Sequence, residues 1–222
     1  MLRPAQPSSQ LQRWMEALAP VVEQARQILC QRGAALVGAF SGCTQDDQGQ
    51  LHLRLLWRDY CIIPPKFSVR RVEDGQAADP FITSLILTYL AWADGAPPGG
   101  EWIGFRDLPN GTFYAQAFQS YSGNRLVREM GGGLSALHRA AQALGGEPLE
   151  MGSAGYAFDV LPRLRLAVVY WEGDEDFPAQ AQVLFERSAP HYMPTDGLAI
   201  LGSQLVGRLL KVADSHAGAR SR

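Results

Sequence analysis

Two apolar stretches in the C-terminal half of the chain follow one another closely. Residues 156–161 and 164–171 are rich in aromatic and aliphatic side chains, and apolar positions recur at every second residue of the latter. This pattern predicts a β-hairpin. The alternate row, from Arg165 to Trp171, is also partly apolar, which indicates that the second strand lies in the interior of a sheet.

Further strand patterns also occur in closely spaced pairs. They share alternating or β-favouring residues and fall at residues 51–56, 60–63, 67–72, 101–105 and 112–118. Asn110-Gly111, between the last two, supplies the positive φ that a tight turn needs. Because the strands cluster in hairpins rather than alternating with helices, we expect an α+β fold, with an antiparallel or mixed sheet that is built from hairpins and covered by helices.

Apolar residues at helical spacing mark the helices of the chain. They predict helices over residues 10–32, 80–95, 134–144, 178–188 and 195–212. Asp79 and Thr195 are expected to cap the second and the last of them, and Pro20 lies inside the first, where proline kinks or splits a helix. We expect residues 38–49 to form a loop and the tail from about residue 215 to residue 222 to be loose.

Length and charge limit the classes of protein to consider. A chain of 222 residues with 46% hydrophobic side chains favours a single globular domain. Its 20 basic and 22 acidic side chains leave a net charge of −2, which gives no field that would attract nucleic acid or anionic lipid. No signal peptide and no bilayer-spanning apolar run is visible. We therefore expect a soluble cytoplasmic protein, and the sequence leaves its oligomeric state open.

The cysteines point to the same compartment. Cys30, Cys43 and Cys61 are odd in number and widely spaced, which fits neither a disulfide framework nor a metal site built from closely paired cysteines. A reducing compartment is the expected environment, and no metal site is predicted.

Several segments carry side chains that could perform chemistry. His138 flanks the apolar stripe of its helix, and His191 and Tyr192 lie in a proline-flanked corner between two predicted helices. Arg106 offers an anion partner. The acidic run 172–176, which includes Asp174 and Glu175, could hold a cation or transfer protons, but acids before a helix also stabilise its N-terminus.

Established catalytic signatures are not visible in the sequence. It contains no nucleophile elbow, no zinc-binding His-Glu-x-x-His, no Cys-His pairing and no kinase signature. The triple glycine at 131–133 lacks the Lys-Ser/Thr of a phosphate-binding loop and the spacing of a dinucleotide fold, so a simple turn between helices is expected there.

Four segments together resemble an uncharacterised bacterial and archaeal family, the domain-of-unknown-function family thirty-seven eighty-six. The segments are Leu85-x-x-x-Tyr89-Leu90, Gly100-Glu101-Trp102-Ile103-x-Phe105-Arg106-Asp107-Leu108-Pro109-x-Gly111, Trp171-Glu172-Gly173-Asp174-Glu175-Asp176-Phe177-Pro178-Ala179 and Leu184-Phe185-Glu186-x-Ser188. The resemblance spans roughly residues 46–212. It implies no reaction. Some relatives carry an added iron–sulfur-type segment, but the three isolated cysteines of this chain cannot supply the four thiolates of such a cluster.

We hypothesise that the chain is a non-catalytic binding or accessory module with an aromatic-lined groove. Aromatic walls with few polar anchors suit a flat, partly apolar ligand such as a tetrapyrrole, although the cofactor is not determined. The groove is expected to be lined by Trp102, Phe105, Tyr170 and Trp171 and rimmed by Arg106, His138 and His191.

Two other hypotheses stay open. The first is an enzyme that uses Asp174, Glu175 or His191 for acid–base chemistry, which would require at least one of them to be buried with a shifted pKa and to face the same pocket as Arg106. The second is a scaffold whose exposed apolar surface binds another protein or a second copy of the chain.

Overall fold

The structure is a computed structural model that describes the backbone of residues 9–131 and 133–218, with side chains from residue 19 to residue 215 except residue 132. The chain divides between Gly95 and Ala96 into two compact units. Helices and antiparallel sheets occur in both, which confirms the predicted α+β class. The single domain that the length favours stays a prediction. Within the described residues, no helix combines the length and the apolar character needed to cross a bilayer.

The N-terminal unit combines three helices with a four-stranded antiparallel sheet. The sheet has the order β1-β2-β3-β4 and confirms the strands predicted from residue 51 to residue 72. Helix α1 runs from Ser9 to Arg32 with Pro20 inside it, so the proline does not split the helix. The elements are α1 (Ser9–Arg32), α2 (Ala34–Ser41), β1 (Thr44–Gln45), β2 (Leu51–Leu55), β3 (Arg58–Ile63), β4 (Ser68–Arg71) and α3 (Pro80–Trp92).

Helix α3 is the buried helix of this unit, as its apolar stripe predicts. Asp79 caps it, because its side chain accepts a hydrogen bond from the backbone N–H of Ile82 at 3.0 Å. The hydroxyl of the fully buried Tyr89 donates to the carbonyl of Ser41 at 2.5 Å. This bond ties α3 to the end of α2 and supplies the partner that a buried hydroxyl requires.

The loop predicted at residues 38–49 is wrong in two places, since residues 38–41 are helical and Thr44–Gln45 form strand β1. Helix α2 continues to Ser41 and ends at Gly42, whose φ of 73° is the left-handed conformation that closes a helix. Glycine and serine at 38 and 41 favour loops on propensity alone. Here Gly38 permits close packing, since an added Cβ would lie 3.2 Å from Leu51, and Ser41 bonds back to the carbonyl of Val37.

Cys30 and Cys43 differ in the expected reactivity of their thiols. Cys30 is exposed, whereas burial raises the pKa of the Cys43 thiol to about 11, against a smaller lowering by its hydrogen bond with Ser41. At pH 8 a thiol of that pKa is ionised in about one molecule per thousand, and the thiolate is the reactive form. We expect a disulfide reagent to label Cys43 at least about tenfold more slowly than Cys30, measured by peptide mass spectrometry after brief labelling.

The unfolded chain is the control for this experiment. In denaturant, where burial is lost, all three thiols should react at similar rates. If Cys43 of the folded protein reacted as fast as Cys30, the burial of Cys43 would be contradicted.

The C-terminal unit contains a five-stranded antiparallel sheet with the order β5-β9-β8-β7-β6. The hairpin predicted at residues 156–171 is confirmed, and its second strand lies inside the sheet, paired on both sides. The elements are β5 (Trp102–Gly104), α4 (Ala115–Tyr121), α5 (Gly123–Glu129), α6 (Gly133–Ala143), β6 (Glu147–Leu149), β7 (Ala154–Leu161), β8 (Leu164–Trp171), β9 (Gln180–Glu186) and α7 (Thr195–Gly218), with 3-10 turns at Phe105–Asp107, Gly111–Phe113 and Ala189–His191.

The two faces of this sheet are different. The face that carries Tyr156 and Val183 packs against α6 and α7, since Tyr156 bonds to His138 and Val183 lies beside Gly202. The opposite face carries the buried residues Ala167, Val169 and Leu184. These are covered by the partly buried side chains of Trp102, Leu149 and Met151.

The strand predicted at residues 112–118 is wrong. Asn110 has the positive φ that was expected, 59°, but the chain continues into a 3-10 turn and helix α4 instead of a second strand. Strand β5 ends at Gly104. The side chain of Asp107 accepts a hydrogen bond from the backbone N–H of Gly104 at 3.1 Å, and the chain turns away from the sheet there. The place beside β5 is then taken by β9, which comes from much later in the sequence.

The helix predicted at residues 178–188 is also wrong, since this segment forms strand β9. Exposed and buried side chains alternate from Gln180 to Val183, which is the period of two typical of a strand and not the period of the predicted helix. Tertiary pairing decides the matter, because β9 fills the gap between β5 and β8. At the C-terminus, α7 extends to Gly218, so the beginning of the expected loose tail is helical; residues 219–222 lie outside the described residues.

Candidate functional site

A cavity of about 300 Å³ lies in the C-terminal unit at the point where β5 ends beside β9. We call it the edge cavity. It lies beyond the last β5–β9 pair, Gly104 with Leu184, where β9 continues without a partner strand on that side. Its lining consists of Gly104, Phe105, Arg106, Ala115, Gln116, Phe118, Gln119, Gln182 and Val183.

Two turns of the chain shape this cavity. After β5 the chain turns through residues 105–107 and folds back so closely that an added Cβ on Gly111 would overlap the carbonyl oxygen of Phe105. Thr195 at the start of α7 donates to the carbonyl of Pro109 at 2.6 Å and fixes this return. The sequence motif from Gly100 to Gly111 therefore positions Phe105 and Arg106 at the cavity.

The floor of the edge cavity is aromatic. Phe105 and Phe118 stack with ring centroids 4.3 Å apart and an interplanar angle of 18°. Phe185 meets both rings, at 5.9 Å and 5.7 Å, and all three side chains are buried. A cluster of this kind is rigid, because each ring restrains the orientation of its neighbours. The cavity thus has a preformed apolar base.

The wall of the edge cavity is formed by carboxamides. Gln119 on α4 donates from its Nε2 to the carbonyl of Ala181 at 2.8 Å and to the Oδ1 of Asn124 at 3.0 Å. These bonds use both amide hydrogens, which leaves its Oε1 as the free acceptor. Gln116 and Gln182 are exposed at the rim of the same cavity.

A second cavity of about 300 Å³ adjoins the first and shares Gln119 with it. Glycine at position 123 allows the start of α5 to approach β9 closely beside these cavities, because an added Cβ there would overlap the carbonyl oxygen of Ala181. The adjoining cavity is lined by Gln119, Asn124, Val127, Arg128, Ala179 and Gln180.

The charged side chains that line the two cavities are all positive. Their lining includes Arg106 and Arg128 and no carboxylate. Arg128 pairs with Glu129 at 2.7 Å, which offsets its charge. Among the described residues, the guanidinium of Arg106 takes part in no hydrogen bond or ion pair, and it is exposed at the cavity mouth. Arg106 is therefore the charged group that is available to a ligand.

The predicted aromatic residues are divided between different surfaces. Phe105 lines the edge cavity, as does the predicted Arg106. Tyr170 and Trp171 are consecutive in β8, so their side chains point to opposite faces of the sheet, and Tyr170 is buried while Trp171 is partly exposed. Trp102 lies over the apolar cluster on the face away from α6 and α7. The structure does not bring these aromatic side chains into one groove.

The two histidines that were predicted as site residues, His138 and His191, lie outside both cavities. His138 on α6 contacts Tyr156 in an edge-on arrangement, and its Nδ1 is 2.5 Å from the tyrosine hydroxyl. His191 is exposed in the 3-10 turn before α7. Its neighbour Tyr192 is buried, and its hydroxyl donates to the carbonyl of Ala96. The contacts of His138 and Tyr192 hold elements of the unit together.

The acidic segment forms the turn between β8 and β9. Asp174 accepts hydrogen bonds from the backbone N–H groups of Asp176 and Phe177 at 2.9 and 2.8 Å. Glu175 is exposed beside it. Since a strand follows, the acids do not stabilise a helix N-terminus. Among the described residues, no group of three His, Cys, Asp or Glu side chains is placed to hold a metal ion.

The carboxamides of the edge cavity were not predicted from the sequence. Gln116, Gln119 and Gln182 are uncharged, common on surfaces and far apart in the sequence, so no local pattern marks them. The misassignment of 112–118 and 178–188 added to this, because it placed Gln116 and Gln182 in the wrong elements.

Comparison with known proteins gives a family but no activity. A family model described as Domain of unknown function (DUF3786) matches residues 12–208. No curated protein matches the chain. No solved structure matches it either.

Proposed function

The chain belongs to the DUF3786 family, a domain of unknown function, and from this premise we propose that it is a binding or accessory module for a small, flat organic anion held in the edge cavity. The observation that carries the proposal is that Arg106, which pairs with no other described residue, lies with three glutamine side chains over an aromatic floor. A mostly apolar pocket with a few polar groups is typical of ligand sites.

The lining favours a particular class of ligand. A guanidinium binds carboxylates and similar anions through two parallel hydrogen bonds, and the absence of lining carboxylates leaves its charge available. The glutamine amides both donate and accept, so they suit carbonyl and amide groups of the ligand. The buried rings of Phe105 and Phe118, which line the cavity, suit its flat apolar part.

A tetrapyrrole counts as a flat organic anion of this kind only because it carries carboxylates. Such a ligand is flat and would have to extend from the edge cavity into the adjoining one. Neither lining contains His, Cys or Met to ligate a central metal, so Arg106 and Arg128 would hold the carboxylates instead. Binding of this kind makes the protein a carrier or accessory rather than a haem-type enzyme.

The first experiment is native mass spectrometry with an absorption spectrum of protein purified gently from its own host. A copurifying organic anion is the expected result, and its mass names the ligand. A chromophore would support the tetrapyrrole version. A colourless and ligand-free protein would contradict tight binding. It would favour a protein partner at the exposed aromatic side chains of Phe113 and Tyr114, which are 85% and 66% exposed.

We expect Arg106→Gln to weaken anion binding by roughly tenfold to a hundredfold, because a charged hydrogen-bonding partner contributes about 1.5–3 kcal/mol. The measurement is a titration with the copurified ligand or, in its absence, with the fluorescent aromatic anion 1-anilinonaphthalene-8-sulfonate. Arg139→Gln is the matched control, since it removes an equal charge from α6 outside both cavities. Equal losses in the two variants would contradict a site at Arg106.

A further inference from the structure

A separate cavity lies within the N-terminal unit. Its volume is about 350 Å³, and it opens between α1, strand β4 and the start of α3. We call it the Arg26 cavity. It is lined by Ala19, Val22, Arg26, Ser68, Val69, Ala77, Ala78, Pro80 and Thr83. Most of these side chains are apolar, and none is acidic.

The lining follows from the local structure. Ala19, Val22 and Arg26 are three and four residues apart on α1, so they share one face of that helix. The opposite wall is the segment between β4 and α3, where Ala77 pairs with Arg70 in an isolated bridge and Ala78 donates its N–H to the carbonyl of Val69. Small side chains at 77 and 78 leave the space between the two walls open.

A buried polar group in this cavity pairs with none of the residues whose side chains the structure describes. The Nε atom of Arg26 is buried, and among the described residues nothing accepts its hydrogen bond. Most buried donors are paired, since leaving one unpaired is costly. A guanidinium whose charge is not matched by any acid in the cavity lining is complementary to an anion. The apolar walls exclude a small hydrated ion as the natural occupant, because such an ion would lose water and gain nothing from them.

We propose that the Arg26 cavity binds an unbranched aliphatic monocarboxylate, with the carboxylate on the guanidinium of Arg26 and the chain along Val22, Val69 and Pro80. Ser68 lines the same cavity and offers a hydroxyl as a second donor. This inference goes beyond the proposed function, because it concerns another unit, another arginine and an aliphatic rather than a flat ligand.

The test is calorimetric titration of the full chain with hexanoate, octanoate and decanoate. Affinity should rise roughly fourfold for each added methylene while the chain fits the cavity, as expected for burial of a CH₂ group. The alcohol 1-octanol should bind at least about tenfold more weakly than octanoate, because it cannot form the charged pair. Carboxylates that bind independently of chain length, or not at all up to millimolar concentration, would overturn the proposal.

Variants separate this site from the edge cavity. Arg26→Met should reduce octanoate affinity at least about tenfold and abolish the preference over 1-octanol, while Arg26→Lys should lose part of the affinity because lysine lacks the planar fork. Lys66→Gln removes an exposed charge of the same unit outside the cavity and should bind as the unaltered protein does. Arg106→Gln should also leave octanoate binding intact, so failure of one proposal does not imply failure of the other.

The melting temperature of the ligand-free variant gives an independent readout. Arg26→Met removes the unpaired buried donor and keeps an unbranched side chain of similar length, so it should melt at the same temperature as the unaltered protein or higher. Octanoate should raise the melting temperature of the unaltered protein but not that of Arg26→Met. Undiminished octanoate binding by folded Arg26→Met would refute the assignment.

Discussion

Replacing Gly111 by alanine is expected to destabilise the protein by about 3 kcal/mol or more. The added Cβ would overlap the carbonyl oxygen of Phe105 and would lie 3.3 Å from the Cβ of Leu108. Backbone atoms cannot move aside as a flexible side chain can, so the 3-10 turn at Phe105–Asp107 would have to open. The measurement is urea denaturation with extrapolation of the unfolding free energy to water.

Gly131→Ala is the matched control for this prediction. Among the described residues, no atom lies within 4 Å of a Cβ added at Gly131, and the backbone of Gly131 is not in the left-handed region. Its substitution should therefore change the unfolding free energy by no more than about 0.5 kcal/mol. If Gly111→Ala were as mild as Gly131→Ala, the close return of the chain onto Phe105, and with it the shape of the edge cavity, would be contradicted.

Replacing Phe118 by alanine is expected to cost about 3–5 kcal/mol of unfolding free energy. Phe118 is 2% exposed, stacks on Phe105 and packs against Phe185 and Tyr121. Its ring also lies against α7, where an added Cβ on Gly202 would approach it to 2.8 Å. Truncation would leave a void between α4, the sheet and α7, and several rigid neighbours limit its collapse.

Two variants test the cause of this loss in the same denaturation experiment. Phe118→Leu fills more of the space and should lose clearly less stability than Phe118→Ala. Phe113→Ala removes the same ring from a position that is 85% exposed and should lie within about 0.5 kcal/mol of the unaltered protein. Similar losses at 113 and 118 would mean that burial is not the cause.

The edge cavity and the Arg26 cavity are both complementary to an anion. Each presents an arginine that lacks a protein partner among the described residues, in a lining without carboxylates. They differ in the apolar part: stacked phenylalanines at the first and small aliphatic side chains at the second. The difference predicts flat anions for one and flexible aliphatic carboxylates for the other, and it makes the two sites separable by ligand shape.

Sequence patterns predicted the elements whose signals are local. The 156–171 hairpin, the strands from residue 51 to residue 72, and helices α1, α3 and α7 all follow from periodicity within a short window, and the predicted cap of α3 at Asp79 is confirmed. Thr195, the expected cap of α7, is instead the first residue of that helix, and its hydroxyl donates to the carbonyl of Pro109. The family was also recognised from its motifs. At the site, Phe105 and Arg106 were found because an aromatic and a cation beside a turn are conspicuous residue types.

What the sequence determined by itself is thus the α+β class, the buried helix α3 and the central hairpin, because the periodicity and the cap residues that mark them lie within short stretches of the chain. Only the tertiary structure decided the role of residues 112–118 and 180–186. Strand β9 exists because it pairs with β5, which lies more than seventy residues earlier, and with β8 on its other side. The glutamines of the edge cavity and the unpaired donor of Arg26 are likewise products of packing, since burial and hydrogen-bond partners are properties of the folded chain.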